Sequence, residues 1–127
     1  MSGHEEKYIN QAFATNWIAP LGPNVNGFET DLESYLGNNV QVAALTTGTA
    51  AIHLALELLK VSKNDEVICQ TKTFIASVNP VCYLGAKPVF VDSERDTWNL
   101  CPVLLKQAID DRIKKGKKPK AIVVINL

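Results

Sequence analysis

The chain has 127 residues, of which 46% are hydrophobic and 20% charged, and its thirteen basic and thirteen acidic side chains cancel. This length suits one ordinary domain with a buried core, and the charge balance argues against nucleic acid or an anionic membrane as the main partner. Three widely spaced cysteines, no C-x-x-C pair and only two histidines argue against a metal site or a disulfide framework, and favour a cytoplasmic protein with reduced thiols.

Two helices are predicted in the first 37 residues. Ser2 and Glu5 have the spacing of a capping box, which opens the first helix. The stretch 16–23, Asn-Trp-Ile-Ala-Pro-Leu-Gly-Pro, ends that helix as an irregular loop because it contains two prolines and a glycine. The second helix has apolar residues at helical spacing and takes Gly37 as its C-cap.

From residue 42 onward, buried strands alternate with helices. The predicted strands are 42–45, 66–70, 88–92 and 121–125, and the predicted helices are 50–60, 76–84 and a segment that starts at Pro102 and stops at Gly116. Strands that are nearly continuous apolar runs, separated by helices, are typical of a parallel sheet covered on both faces. The predicted fold class is therefore α/β, a mostly parallel sheet with flanking helices.

The turn at 46–51, Thr-Thr-Gly-Thr-Ala-Ala, joins the first predicted strand to the helix that follows it. A helix N-terminus offers unpaired backbone N–H groups and the positive end of its dipole, so it binds phosphate well. Small residues permit a close approach, but the turn lacks both the G-x-G-x-x-G spacing and the P-loop ending. Two interpretations stay open: a phosphate site, or an ordinary strand-to-helix turn with a threonine N-cap.

Four further segments follow one another in a fixed order that is informative as a set. They are TGTAAIHLAL at 47–56, NDEVICQTKTF at 64–74, LGAKPVFVD at 84–92 and DTWNL at 96–100. Together they resemble the N-terminal part of the pyridoxal-phosphate-dependent sugar-nucleotide aminotransferases of the DegT/DnrJ class. The loop at 16–23 and the Gly-Phe-Glu at 27–29 resemble the opening of the same family.

This resemblance implies the fold of aspartate-aminotransferase-type enzymes, the type I fold of pyridoxal phosphate enzymes. It implies an enzyme that moves an amino group from an amino acid, usually glutamate, onto a nucleotide-linked keto sugar, with pyridoxal 5′-phosphate as cofactor. We expect a homodimeric protein. Residues 1–127 would be the N-terminal portion of its large domain, and the first part of this portion, 1–37, would be a substrate-facing segment of helices and loops. The small C-terminal domain is expected to be absent from this chain.

Five residues take candidate roles from the resemblance. Gly48 and Thr49 are expected to bind the cofactor phosphate through backbone N–H groups, and Thr49 also through its hydroxyl. Phe74 is expected to stack on the pyridine ring, which suits a flat aromatic side chain; the alternative is an ordinary core aromatic. Asn16 and Trp17 correspond to the family's sugar-facing loop, although Trp17 also suits an anchor beneath the first helix.

Three other reactive side chains are assigned no catalytic role. His53 lies one helical turn after Thr49, but its leucine and alanine neighbours favour a packing role over that of a catalytic base. Asp92 ends a strand and is interpreted as a turn residue. Lys72 lies close to Phe74 but matches a family position that forms no Schiff base, so the catalytic lysine is expected beyond the chain end.

The chain ends directly after the almost wholly apolar strand predicted at 121–125, with no helix following to cover it. We therefore expect a fragment that is inactive by itself. Two alternatives remain: a stand-alone α/β phosphate- or nucleotide-binding module without catalysis, and a non-enzymatic interaction domain. In the resembled fold the first strand does not pair with the second. Strand 42–45 is therefore expected to stand apart from the other three, whereas pairing with 66–70 would favour the stand-alone module.

Overall fold

The computed structural model describes residues 2–37 and 39–127. The chain divides into two compact units, one extending to Leu45 and the other covering Thr46–Leu127. No helix among the described residues has the length and apolar character needed to cross a membrane.

The first unit contains the two predicted helices, α1 at Glu5–Ala14 and α2 at Pro23–Leu36. The backbone N–H of Ser2 donates to the Glu5 carboxylate at 2.6 Å, which is the glutamate half of the predicted capping box. The serine half is wrong, because His4 is the N-cap of α1 and no side chain caps the helix. Helix α2 ends at Gly37, whose φ of 103° is left-handed and therefore suits glycine. The predicted C-cap is confirmed.

The strand predicted at 42–45 is wrong, because these residues have no regular secondary structure. The N–H of Val42 donates to the Glu33 carboxylate at 2.9 Å, and the N–H of Ala44 donates to Glu29 at 2.8 Å. These two glutamates lie one turn apart on α2. Carboxylates of α2 thus accept hydrogen bonds from backbone N–H groups that would otherwise donate to the carbonyls of a neighbouring strand.

The second unit alternates strands and helices. In chain order it contains α3 at Gly48–Leu58, β1 at Glu66–Gln70, a 3₁₀ turn at Ile75–Ser77, α4 at Asn79–Tyr83, β2 at Lys87–Val91, α5 at Pro102–Lys114 and β3 at Ala121–Val123. The helix predicted at 76–84 is thus divided between a 3₁₀ turn and a short α-helix. Pro102 occupies the first turn of α5, as its fixed φ favours.

The three strands form a parallel sheet in the order β2-β1-β3. In register, Ile68 of central β1 lies opposite Val89 on one side and Ile122 on the other. The predicted parallel set is confirmed, with β3 shorter than expected. Both neighbours of β1 in this sheet come from later in the chain. Because 42–45 forms no strand, the expectation that a first strand stands apart from these three stays a prediction.

Side chains of β1 alternate between two buried clusters on opposite faces of the sheet. Val67 and Cys69 pack with residues of α3 and α4, including Leu56 and Val81. Ile68 packs with Val91 and Leu100, and with apolar residues of α5. Odd-numbered β1 residues therefore face α3 and α4, and even-numbered ones face α5.

Candidate functional site

The N-terminus of α3 has both an N-cap and unused hydrogen-bond donors. Thr47 has extended backbone angles, its Oγ1 accepts from the N–H of Ala50 at 3.1 Å, and its carbonyl accepts from the N–H of Ala51 at 3.1 Å. Within the described residues, the N–H groups of Gly48 and Thr49 have no hydrogen-bond partner. The threonine cap is therefore confirmed, and it leaves free the two donors that sequence analysis assigned to phosphate.

A cleft of about 410 Å³ opens beside these donors. Its lining comprises Thr47, Gly48, Thr49, Ile52, Phe74, Ala76 and Ser77. The structure thus brings together three of the five residues predicted for ligand binding. Phe74 is 80% exposed, so the alternative of a core aromatic is wrong and its ring is available to a ligand.

The loop that carries Phe74 takes part in several hydrogen bonds. The N–H of Ser77 donates to the Phe74 carbonyl at 2.9 Å, and the hydroxyls of Thr73 and Ser77 lie 2.9 Å apart. The Thr71 hydroxyl donates to Asp92 at 2.8 Å. Together with the Ser93 N–H, this hydroxyl holds the pKa of the Asp92 carboxyl below its usual value. Asp92 thus accepts an exposed hydrogen bond at the start of the loop.

Neither His53 nor Lys72 lines this cleft. The His53 ring lies edge-on against Tyr83, with ring centroids 5.6 Å apart and an interplanar angle of 73°, as expected for a packing histidine. The Lys72 ammonium lies 3.6 Å from the centroid of the Trp98 ring, in a cation–π contact. Burial raises the pKa of the Cys69 thiol to about 11, so this thiol stays neutral near pH 7.

Asn16 and Trp17, the predicted sugar-facing residues, belong to the first unit, whereas Gly48, Thr49 and Phe74 belong to the second. Asn16 has a left-handed φ of 56° at the turn that follows α1. The N–H of Trp17 donates to the carbonyl of Ala12 at 2.9 Å.

The Trp17 ring lies 3.0 Å from the position that a Cβ on Gly22 would occupy. Glycine at that position is therefore needed for the ring to pack closely against the loop. Half of the Trp17 surface stays exposed. The residue thus anchors its own loop and still presents apolar surface.

Ser77 also lines the cleft and was not predicted as a site residue. A hydroxyl three residues after Phe74 in a one-turn helix was the available signal. Gln70 was not predicted either, because nothing in a strand sequence distinguishes a buried glutamine with specific partners from a polar residue at the end of a strand.

The fold and the site define a class. A parallel α/β sheet places a helix N-terminus with two free N–H donors beside an exposed aromatic ring, an arrangement suited to the phosphate and ring of a phosphorylated aromatic ligand. The model of the DegT/DnrJ/EryC1/StrS aminotransferase family matches residues 1–127, and the chain belongs to that family.

Comparisons with individual proteins agree with this assignment. EpsN of Bacillus subtilis (strain 168), whose name gives a provisional assignment as a pyridoxal phosphate-dependent aminotransferase, is 52% identical over 127 residues, covering 100% of this chain and 32% of EpsN. The dTDP-4-dehydro-2,3,6-trideoxy-D-glucose 4-aminotransferase of Saccharopolyspora spinosa is 38% identical over 92 residues, covering 72% of this chain and 24% of that protein.

Among solved structures, a DegT/DnrJ/EryC1/StrS aminotransferase from Brucella abortus superimposes with a TM-score of 0.82 at 36% identity. The match covers 92% of this chain and 31% of that one. The predicted fold class is confirmed: this is the α/β fold of type I pyridoxal phosphate enzymes. The chain spans about a third of the length of the EpsN protein it matches.

Proposed function

We propose that this chain is the N-terminal portion of the large domain of a pyridoxal-phosphate-dependent sugar aminotransferase. The enzyme would transfer an amino group from an amino acid, with glutamate as the expected donor, to a nucleotide-linked keto sugar. Family membership supports the reaction class, and the name of the Saccharopolyspora relative supports the substrate class.

The observation that carries the proposal is the grouping of Gly48, Thr49 and Phe74 around one cleft. Two free N–H groups at the positive end of α3 suit the dianionic phosphate ester of the cofactor. The exposed Phe74 ring offers a flat apolar face to a pyridine ring. The cleft volume of about 410 Å³ lies within the range of small-ligand sites. The residues present therefore fit pyridoxal 5′-phosphate.

Each residue would have a separate task. The N–H groups of Gly48 and Thr49 would hold the phosphate, with the Thr49 hydroxyl as an additional donor. Phe74 would fix the plane of the ring by stacking. When bound, pyridoxal phosphate supplies an electron sink that lets an amino group pass from donor to acceptor.

The lysine that would hold the cofactor covalently is proposed to lie outside this chain, as are the acidic partner of the pyridine nitrogen and the small domain. Among the lysines present, Lys72 is closest in sequence to Phe74, but its ammonium contacts the Trp98 ring. We therefore propose that the 127-residue chain does not catalyse the reaction alone.

The remaining features of the proposal concern partners. Asn16 and Trp17 are proposed to face the sugar nucleotide, for which the exposed half of the Trp17 ring provides apolar surface. We propose a cytoplasmic homodimer whose ligands are a nucleotide sugar and an amino acid, with neither nucleic acid nor membrane as partner.

The test is amination by the full-length protein that carries this chain. Purified protein with pyridoxal phosphate is incubated with several nucleotide-linked keto sugars and with glutamate, glutamine or aspartate as donor. Mass spectrometry should detect an aminated sugar nucleotide and, with glutamate, an equal amount of 2-oxoglutarate. Failure with every keto sugar would refute the reaction, and turnover by the isolated 127-residue chain would refute its proposed inactivity.

A further inference from the structure

Gln70, the last residue of β1, is a buried amide with specific partners. Only 1% of its surface is exposed. Its Nε2 donates to the carbonyl of Lys72 at 3.1 Å and to the carbonyl of Trp98 at 3.2 Å, while its Oε1 is buried without a partner among the described residues. Two acceptors on one side fix the orientation of the amide. The Gln70 side chain therefore makes its hydrogen bonds through the amide N–H groups and not through the amide carbonyl.

Gln70 reaches the candidate cofactor loop from the opposite side of the sheet. It shares the face of Ile68, which packs with apolar residues of α5, whereas the cleft with Phe74 lies beside α3. Gln70 does not line the cleft. It can influence a ligand there only through the backbone it binds, at Lys72, two residues before Phe74.

The second acceptor belongs to a residue with a strained backbone. Trp98 has a φ of 63°, a left-handed value that is costly for a bulky side chain and persists only when the surroundings impose it. The Gln70 amide binds its carbonyl and the Lys72 ammonium lies over its ring. The segment leading to Phe74 is thus joined to the 97–100 loop at two points.

We propose that Gln70 is a positioning residue: it fixes the backbone of 71–74 from behind the sheet, so that Phe74 meets the cofactor ring in one orientation. This inference rests on the proposed function, because it assumes that Phe74 stacks on pyridoxal phosphate. It assigns Gln70 no contact with the phosphate, which Gly48 and Thr49 bind at a separate place in the cleft.

The test is Gln70→Met in the full-length protein, a change that keeps the side-chain volume and removes the donor. Affinities for pyridoxal phosphate and for inorganic phosphate are measured by absorbance titration and by calorimetry. The affinity for pyridoxal phosphate should fall by about 3- to 10-fold, the range that corresponds to one aromatic stacking contact. The affinity for inorganic phosphate should change less than about 2-fold, because the donors at α3 are untouched.

Thr71→Val is the matched control, since it removes the exposed hydrogen bond to Asp92 in the same loop and leaves the Gln70 amide in place. It should change the affinity for pyridoxal phosphate less than about 2-fold. A loss as large as that of Gln70→Met would mean that any loosening of the loop has this effect, and would overturn the proposal.

A double-mutant cycle separates positioning from general destabilisation. In a Phe74→Ala background, Gln70→Met should cause no further loss of affinity for pyridoxal phosphate. An additive loss, an unchanged affinity in the single variant, or an equal loss for phosphate and pyridoxal phosphate would each overturn the inference. If Gln70→Met does not fold, Gln70→Asn replaces it, because the shorter amide cannot span both carbonyls and should give the same pattern.

Hydrogen exchange of the cofactor-free protein gives a readout that does not depend on the proposed function. The N–H groups of Ser77 and Val78 are bonded within the 3₁₀ turn and should exchange faster in Gln70→Met than in Thr71→Val. If wild-type protein fails to bind pyridoxal phosphate, the proposed function fails and this experiment still tests the anchoring. Equal exchange in the two variants would refute the anchoring itself.

Discussion

Gly48→Pro removes one of the two proposed phosphate donors with little effect on the helix. Gly48 is the first residue of α3, a position at which proline is favoured because its N–H has no intrahelical acceptor. The preceding residue, Thr47, has φ −156° and ψ 158°, the extended conformation that a following proline requires. A Cβ at Gly48 meets no atom within 4 Å. The variant should therefore fold.

The expected loss follows from the charge of the ligand. A hydrogen bond to a charged group contributes roughly 1.5–3 kcal/mol, which corresponds to about 10- to 150-fold in affinity. Affinity for both pyridoxal phosphate and inorganic phosphate should fall by at least about 10-fold. The melting temperature should stay the same or rise, because proline restricts the unfolded chain.

Gly48→Ala provides the control, since it adds a Cβ and keeps the N–H. Titrations of the full-length protein with both ligands are compared among wild type and the two variants, with thermal unfolding to verify the fold. The alanine variant should lose less than about 3-fold in affinity. Equal losses in the two variants would show that bulk at this position, not the missing donor, weakens binding, and would refute the assignment of the Gly48 N–H to the phosphate.

Three further outcomes are expected. Hydrogen bonds from the Thr71 hydroxyl and the Ser93 N–H lower the pKa of Asp92, so their stabilising effect is complete above the ordinary pKa of 3.8 and is lost as the pH falls below it. Asp92→Ala should therefore lower the melting temperature more at about pH 6 than at about pH 3. Arg112→Met leaves the buried Glu66 carboxylate without its partner at 3.6 Å and should lower the midpoint of urea unfolding, and adding Glu66→Gln should restore part of that loss. A thiol reagent at pH 8 should modify exposed Cys82 quickly and Cys69 only on unfolding, because Cys69 is buried and its pKa is about 11.

The sequence determined the elements whose signals are local. Gly37 predicted the end of α2 and Pro102 the start of α5, and both are confirmed because each depends on backbone conformation within one turn. A threonine N-cap was one of two open interpretations of the turn at 46–51; Thr47 is that cap, and α3 begins two residues earlier than predicted. Alternation of apolar runs with helices predicted the parallel sheet. The ordered motifs predicted the family, which the match over residues 1–127 confirms.

Tertiary structure decided what local patterns do not encode. An apolar run such as 42–45 indicates burial, but pairing as a strand requires a neighbour, and here two glutamates of α2 accept its N–H groups instead. The exposure of Phe74 likewise depends on where the loop after β1 leaves the sheet. The roles of Gly48, Thr49, Phe74, Asn16 and Trp17 in binding stay predictions. That the first three share a cleft is a property of the fold, because residues 25 positions apart meet only when the chain is packed.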